Sequence, residues 1–594
     1  MGVYDAGGKA TLVVSAGGTA SGTTLRGDGY DYVFGSTVGT IVGGGEETIG
    51  YNGEEIISNG GAVSGSILEY GGQETILSGG TADGTEVQFG ADQVVSSGGL
   101  ASGTIVSGGY VYVYGSGTTI GTVLRQGSGQ PGSEFVYAGG TTSYTVISSG
   151  DETLFKGATA IGTIVSASGD DIIFSGGTAS GTIVNKAGLE VVLGGLTVGT
   201  TVNSGGKEVV SSGTTSDTVV NSGGREAVRF GDSFGTVLNA GGEEIVYKNG
   251  SALGTIVHSG GEFVFGGGGA SSLTVDAGGS VGIASGTVVT ALQVTSGERL
   301  FVSSGGTTSN TVLSGGTEVV SSGATARGTI VSAGGYDIVY TGGTASGTIV
   351  DKTGQDIVSG GLTLGTIVNS GGKEVVNSGR ATIGGTTSGT IVNSGGREVV
   401  QAGSSLGTVL NAGGDEFVGK AGSALGTIVH SGGELVFAGG VVSSLIVDAG
   451  GSVGIASGTV VTALQVTSGE MLFVSSGGTA SNLTISGHGA AAVLSGGTAE
   501  NVTFAGSGAR LTFASGSILS GALTGFGETD SLRLTAIGFG TDTTLSYSGT
   551  TASGTLKVSD GVHSASIEMI GNYSAAGFHD VASTLAGTVI TYTS

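Results

Sequence analysis

Grouped carboxylates are the residues of this sequence with the most obvious chemical potential. Acidic pairs stand at Glu46-Glu47, Glu54-Glu55, Asp170-Asp171, Glu243-Glu244 and Asp415-Glu416. Carboxylates gathered near a basic residue are the equipment of enzymes that cleave acidic polysaccharides. Each pair follows turn glycines, however, which places it in solvent at a chain reversal, and so the sequence assigns no catalytic residue. The five histidines are His258, His430, His488, His563 and His579. None has a second histidine at metal-ligand spacing, and His258 and His430 replace a turn asparagine, so all five read as turn or surface residues. Tyr110, Tyr112 and Tyr114 alternate and therefore share one strand face, which either contacts sugars or stacks and is partly buried. The glycine-rich matches to dinucleotide motifs carry no weight at this glycine density, and no cofactor is assigned. Calcium is a fair question for so acidic a chain, but the nonapeptide repeat that would order it does not recur, and metal ligands stay unassigned.

The elements that must position these residues follow from a fixed period. Thr163, Thr182, Thr200, Thr218, Thr236 and Thr255 open successive tetrads at steps of 19, 18, 18, 18 and 19 residues. Three residues on, Asn185, Asn203, Asn221, Asn239 and His258 hold the same step. One unit runs Thr200-Thr201-Val202, Asn203-Ser204-Gly205-Gly206, Lys207-Glu208-Val209-Val210, Ser211-Ser212-Gly213, which is two short β-branched segments, each closed by a turn. Val and Ile suit a pleated, half-buried surface, and Asn, Ser and Gly supply turn capping and positive φ. A helix would not survive two glycine pairs per unit at about 1 kcal/mol per glycine. A unit this small cannot bury its apolar face alone, so equivalent strands must stack. The expected fold is all-β: a long parallel β-helix, or β-solenoid, of about 25 coils of 18 to 20 residues, cored by stacked Val, Ile and Leu.

Composition agrees. The 594 residues include 129 Gly, 1 Pro and no Cys or Trp, and 45 acidic residues against 19 basic give a net charge of −26. Without cysteine there is no disulfide framework, thiolate metal site or cysteine nucleophile. Nucleic acid is not expected as a partner, because phosphate binding needs clustered Lys and Arg, and the excess carboxylates, read as lying outside, also disfavour anionic membrane. No apolar run approaches the roughly 18 residues of a transmembrane segment.

A longer duplication lies over the short repeat. Asp276 to Glu298 recurs unchanged at Asp448 to Glu470, and the copied blocks span about 171–305 and 337–477, with six extra residues near Arg380 to Gly385. The segment Gly127-Ser128-Gly129-Gln130-Pro131-Gly132 stretches one coil, and its proline belongs in an outward loop. From about Gly525 the glycine pairs cease, and Ser531 to Leu534 and Thr588 to Tyr592 alternate instead. The domains expected are a solenoid over 1–524 and a small C-terminal β unit over 525–594, read as an edge cap or a secretion unit. Met1 to Gly8 enter the repeat pattern at once, so no cleavable signal peptide is expected there.

The repeat S-G-G-T-A-S-G-T-I-V-N-S-G-G-[KR]-E-V-V, at Ser175 to Asn185 and again at Gly389 to Val400, resembles the passenger repeats of the diffuse-adherence (AIDA-type) adhesins of Gram-negative bacteria over nearly all of 1–505. The resemblance implies an extracellular or outer-surface β-helix for adhesion, autoaggregation or biofilm formation. Its implied partners are host or neighbouring-cell surfaces or glycans, further copies of itself, and a glycosyltransferase that adds O-linked sugars to Ser and Thr. Residues 525–594 are too few for the outer-membrane barrel of that family. Leu556 to His563 with Gly571-Asn572-Tyr573-Ser574 is instead similar to C-terminal segments of large type I secreted repeat proteins. The expected function is a structural, non-enzymatic adhesin. The rivals are a self-assembling surface-layer or filament protein and a polysaccharide-active enzyme.

Overall fold

In the computed structural model the chain is all-β, a β-solenoid of about 27 turns with almost no helix. The structure describes residues 11–26, 30–43, 53–379, 384–582 and 584–594. Met1 to Gly8, the pair Glu46-Glu47 and most of the Arg380 to Gly385 insertion lie outside the described residues. Among the described residues no helix is long and apolar enough to cross a membrane. The chain divides into two compact units: the first runs to Thr287 and includes Gly297–Arg299, and the second takes Val288–Ser296 and Leu300–Ser594.

A coil of the first unit shows why the sequence folds this way. Its strands are Gln73–Ile76, Thr81–Asp83 and Glu86–Gln88, so each coil carries three strands, not the two expected. The third was missed because Thr-Ala-Asp, like the Thr-Ala-Ser of other coils, has one apolar residue and reads as loop; alone among the three its inward residue is small. Within the first strand Glu74 and Ile76 are buried while Gln73 and Thr75 are half-exposed, the period of two that a pleat imposes. The turn Leu77-Ser78-Gly79-Gly80 closes with Gly80 N–H donating to Leu77 O at 2.9 Å. Its two glycines do different work. Gly79 takes φ +76°, a left-handed conformation that other residues pay for, and a Cβ on Gly80 would lie 2.5 Å from Ile57 O of the preceding coil. A third reversal, at Gly84, separates the second and third strands, and its N–H donates to Ser102 O of the next coil at 2.8 Å.

Stacking is parallel and in register. Gln73–Ile76 pairs residue for residue with Glu54–Ile57 on one side and Asp92–Val95 on the other. In the second unit Thr317–Val320, Thr325–Arg327 and Ile330–Ser332 repeat the plan and pair with the next coil in the same sense. Two apolar columns result. In the first unit Ile57, Ile76, Val95 and Val113 end the first strands and Leu68, Val87, Val106 and Leu124 fill the third; all are fully buried. Each such side chain contributes about 1.5–3 kcal/mol by leaving water.

The core is not the purely apolar column expected. A third column, at the second position of the first strand, is filled with carboxyls: Asp31, Glu55, Glu74, Glu134, Glu152, Asp171, Glu190, Glu208, Glu226 and Glu244 in the first unit. Glu318, Asp337, Asp356, Glu374, Glu398 and Glu416 fill it in the second. Threonines at the corner before the third strand, among them Thr163, Thr218, Thr329 and Thr390, are buried beside them.

The final residues depart from the coil plan. Ser531–Leu534 still pairs in parallel with Arg510–Phe513, but its other edge is taken antiparallel by Thr588–Tyr592. Thr544–Gly549, Ser553–Ser559 and Ser564–Ile570 form an antiparallel meander, the last strand of which pairs with Ala522–Thr524.

Candidate functional site

The grouped carboxylates do not sit where turn chemistry placed them. In Glu54-Glu55, Asp170-Asp171, Glu243-Glu244 and Asp415-Glu416 the first residue is half-buried on the outer face and the second is fully buried. The turn ends at the glycine, the strand has already begun at the first acid, and the pleat turns the second one inward. Sixteen of the described carboxyls lie in this interior column, so a large share of the acidic excess is inside the solenoid and not on its surface.

The interior acids accept hydrogen bonds from hydroxyls of their own coil and the one before. Thr142 Oγ1 and Thr163 Oγ1 donate to Glu152 at 2.7 and 2.9 Å, and Thr197, Thr215 and Thr218 donate to Glu208 at 3.0, 2.8 and 3.1 Å. In the second unit Thr363, Thr387 and Thr390 serve Glu374 in the same way, at 3.0, 3.1 and 2.9 Å. Burial dominates their acidity all the same. It pushes Glu55 and Glu134 up to about 8 and Glu74 and Glu244 up to about 7, with neighbouring carboxylates adding to the rise at Glu55 and Glu134. These groups have no path to solvent that a polymeric substrate could use, so they are not a catalytic set. Among the described residues no three His, Cys, Asp or Glu gather to hold a metal ion.

His258 and His430 occupy turns, as their spacing indicated, whereas His579 lies in the strand Phe578–Ala582. Asn203, Asn221 and Asn239 each donate Nδ2 to the preceding asparagine at 2.8–3.0 Å, a ladder along the turn that leads into the third strand's exit. His258 and His430 take the same turn position and meet Asp276 and Asp448 at 2.6 and 2.5 Å through Nδ1. His563 lies 3.2 Å from Asp560, and His579 Nε2 lies 2.8 Å from Thr593 Oγ1. His488 packs under the turn at Gly508.

Surface chemistry concentrates in the first unit. The tyrosine strip is wider than the sequence indicated: Tyr112 stacks on Phe135 at 5.6 Å, Tyr114 on Tyr137 at 4.7 Å, Tyr137 on Phe155 at 4.8 Å and Phe155 on Phe174 at 5.5 Å. Those separations approach the roughly 4.8 Å between paired strands, so the rings form a continuous outer face across four coils. Burial, then the charge of Asp92, pushes the Tyr112 phenol up to about 12. Tyr114 and Phe174 at the edge are 41% and 37% exposed.

A groove of about 690 Å³ lies beside this face, lined by Glu69, Tyr70, Glu86, Phe89, Ser107 and Arg125 among others. Its floor is a stacked pair, Tyr70 on Phe89 at 6.1 Å, with Tyr70 68% exposed. Arg125 donates Nε to Ser107 Oγ at 2.6 Å and holds Glu86 at 3.6 Å. One wall is the Gly127 to Gly132 insertion, an outward loop as its proline required. Gln126 and Pro131 pinch its base, and Gln130 Nε2 donates to Gly108 O at 2.7 Å and Tyr110 Oη at 3.0 Å. Aromatic rings on the floor with a guanidinium, carboxylates and a hydroxyl at the rim can stack on a sugar ring and bond its hydroxyls. Sequence reading missed this site, because Tyr70 and Phe89 are separated by a whole coil and only the register brings them together.

The fold and its outer faces define an acidic β-solenoid with an aromatic surface strip and one loop-walled groove. No family model and no curated relative matches the sequence. Among solved structures the chain is similar to a TibA fragment hyper-glycosylated by TibC, at 22% identity over 71% of this chain and 97% of that one, with a TM-score of 0.19. It is also similar to a variant of the PL6-family alginate lyase AlyGC, at 8% identity over 86% and 94% of the two chains and a TM-score of 0.16. A third likeness is to the Dettilon tailspike protein, at 11% identity over 83% and 69% and a TM-score of 0.09.

Proposed function

We propose that this chain is a structural adhesin, secreted or displayed on a bacterial surface, that meets glycans of other cells or matrices through the outer faces of its coils. The observation that carries the reading is the groove at Tyr70, Phe89 and Arg125, continuous in kind with the stacked aromatic face from Tyr112 to Phe174. Repetition supports it: a block copied whole multiplies outer faces and adds no unique centre. The Thr and Ser of the second strands, such as Thr178 and Ser180 on either side of buried Ala179, are half-exposed and offer acceptors for O-linked sugars. An intact mass in excess of the chain by whole hexose or heptose steps would show that sugars are attached, and peptide mapping would test whether they sit on these residues.

Binding of the purified full chain to an array of bacterial and host glycans tests the adhesin reading. Tyr70→Ala with Phe89→Ala is expected to weaken retention about tenfold or more, since aromatic anchors dominate such surfaces. Retention of no glycan by the native chain, or equal retention by the double variant, overturns the groove as the contact. The groove also keeps the enzymatic rival testable, because Glu69, Glu86 and Arg125 share its rim; release of unsaturated or reducing ends from acidic polysaccharides on incubation would favour cleavage over adhesion.

A further inference from the structure

The two carboxyl columns contain an internal pattern that the surface reading does not use. In the first unit Glu152, Asp171, Glu190, Glu208, Glu226 and Glu244 pair in unbroken register, one per coil, about 4.8 Å apart. In the second, Glu318, Asp337, Asp356, Glu374, Glu398 and Glu416 do the same. Within each column the groups are of two kinds. The first, fourth and sixth have both oxygens engaged by hydroxyls: Glu152 and Glu208 as above, Glu244 by Ser233 at 2.6 Å and Thr255 at 2.9 Å. The equivalent Glu318 is served by Thr308 and Thr329 at 2.5 and 2.9 Å, and Glu416 by Ser405 and Thr427 at 2.6 and 2.9 Å.

The second, third and fifth are left short. Both oxygens of Asp171 and of Glu190 lack a well-formed hydrogen bond, with Thr182 and Thr200 approaching Glu190 only loosely, and Oε1 of Glu226 has no partner. In the second unit Oδ1 of Asp337, Oδ1 of Asp356 and Oε1 of Glu398 are likewise unpartnered. The cause is local. The second strands facing Asp171 and Asp337 present Ala160, Ala179, Ala326 and Ala345, which have no hydroxyl to give. A buried, unpartnered polar atom costs about 1–3 kcal/mol and a bare buried charge far more, so six such groups in registered stacks require some further partner.

Among the described residues no basic side chain supplies it. Lys207, Arg225, Lys373 and Arg397 stand at the first position of these strands, which faces outward, and the third strands present only Val, Ile and Leu to the column. The groups acting on each member are other carboxyls of the same column and hydroxyls.

We propose that Asp171, Glu190 and Glu226, and Asp337, Asp356 and Glu398, are carried as neutral carboxylic acids at neutral pH, each donating its O–H to a carboxylate neighbour in the column. Asp171 donates to Glu152, Glu190 to Glu208, and Glu226 to Glu208 or Glu244; the second unit repeats the scheme from Asp337 to Glu318, Asp356 to Glu374, and Glu398 to Glu374 or Glu416. Within each set of six the hydroxyl-rich sites hold the charge, the hydroxyl-poor sites hold the proton, and no two adjacent members of the six are ionised; Glu134, the member before Glu152, is pushed up by burial and by Glu152. Burial and the neighbouring carboxylates push the hydroxyl-poor members well above the ordinary range, which agrees in direction.

Infrared spectroscopy of the full chain tests this, because the C=O stretch of a protonated acid is resolved from that of a carboxylate. At pH 7 the native chain should show about six acid groups from these twelve residues, three per column, beside those of Glu55 and Glu134, which burial pushes up to about 8. Asp171→Asn with Glu190→Gln should remove about two of them while circular dichroism stays native, since an amide reproduces the neutral donor. Absence of any acid band at pH 7 overturns the proposal even if that variant does not fold. So does elemental analysis that finds a tightly held cation in each column, with loss of the fold on chelation.

Discussion

Coils that bury a carboxyl and coils that bury a hydrocarbon at the same position sit next to each other in both units. From Glu134 to Glu244 the corner before the third strand is threonine, at Thr145, Thr163, Thr182, Thr200, Thr218, Thr236 and Thr255. In the next coil Phe263 replaces the acid and Leu273 replaces the threonine. The second unit changes at the equivalent point: Glu416 with Thr427 gives way to Leu435 with Leu445, then Val453 with Leu464, Leu472 with Leu483 and Ala491 with Val502. The backbone ladder does not notice, since Glu244 pairs with Phe263 and Glu416 with Leu435 in unbroken register. Two interiors therefore satisfy one backbone, one of carboxyls with hydroxyls and one apolar, and coils such as those of Val111 with Thr122 and Leu300 with Thr311 stand between the two kinds.

Breaking the match between interior and corner from the apolar side should cost most. Phe263→Glu removes the largest fully buried side chain and sets a carboxyl beside Leu273, with no hydroxyl at its own corner to receive it. A loss of about 4 kcal/mol or more is expected from the cavity and the buried acid together, read as a fall in the urea midpoint. Breaking it from the polar side should cost less: Glu208→Leu strands the hydroxyls of Thr197, Thr215 and Thr218 and is expected to cost about 2 kcal/mol in the same assay. Converting both partners should cost least. Glu244→Leu with Thr255→Leu extends the apolar interior by one coil, and the pair is expected to cost clearly less than the sum of the single changes, about 1 kcal/mol or under, in a double-mutant cycle.

Much of the fold was legible in the sequence. The 18-residue step, the β-branched pairs and the glycine pairs fix a parallel stack, because no other arrangement buries so small a repeating face. The filling of the interior was harder to read. Lys207-Glu208-Val209-Val210 looks like two charges ending a turn and two apolar residues starting a strand, yet the pleat sends Glu208 and Val210 inward and Lys207 and Val209 outward. Composition cannot distinguish those readings, as charge near glycine ordinarily means solvent. The usable signal lay ten or eleven residues away, where Thr218 accompanies Glu208 and Leu273 accompanies Phe263. On the surface, the strip announced by Tyr110, Tyr112 and Tyr114 was visible within one strand, but the groove needed the register that sets Tyr70 against Phe89.

The buried acids make stability depend on pH in a direction opposite to that of most folded proteins. Glu55, Glu74, Glu134 and Glu244 are raised from about 4.5 to between about 7 and about 8, so the folded chain binds more protons than the unfolded chain across that window. Their contribution is fully present below about pH 4.5 and is lost as pH rises through about 7 to 8. Thermal unfolding of the full chain, followed by circular dichroism at pH 5 and at pH 8.5 in the same salt, tests this most directly. The buried-acid account predicts a midpoint higher at pH 5 by several degrees, falling steadily from pH 5 and levelling off above about pH 8, with the difference reduced in Asp171→Asn with Glu190→Gln. A midpoint equal at the two values, or higher at pH 8.5, contradicts it.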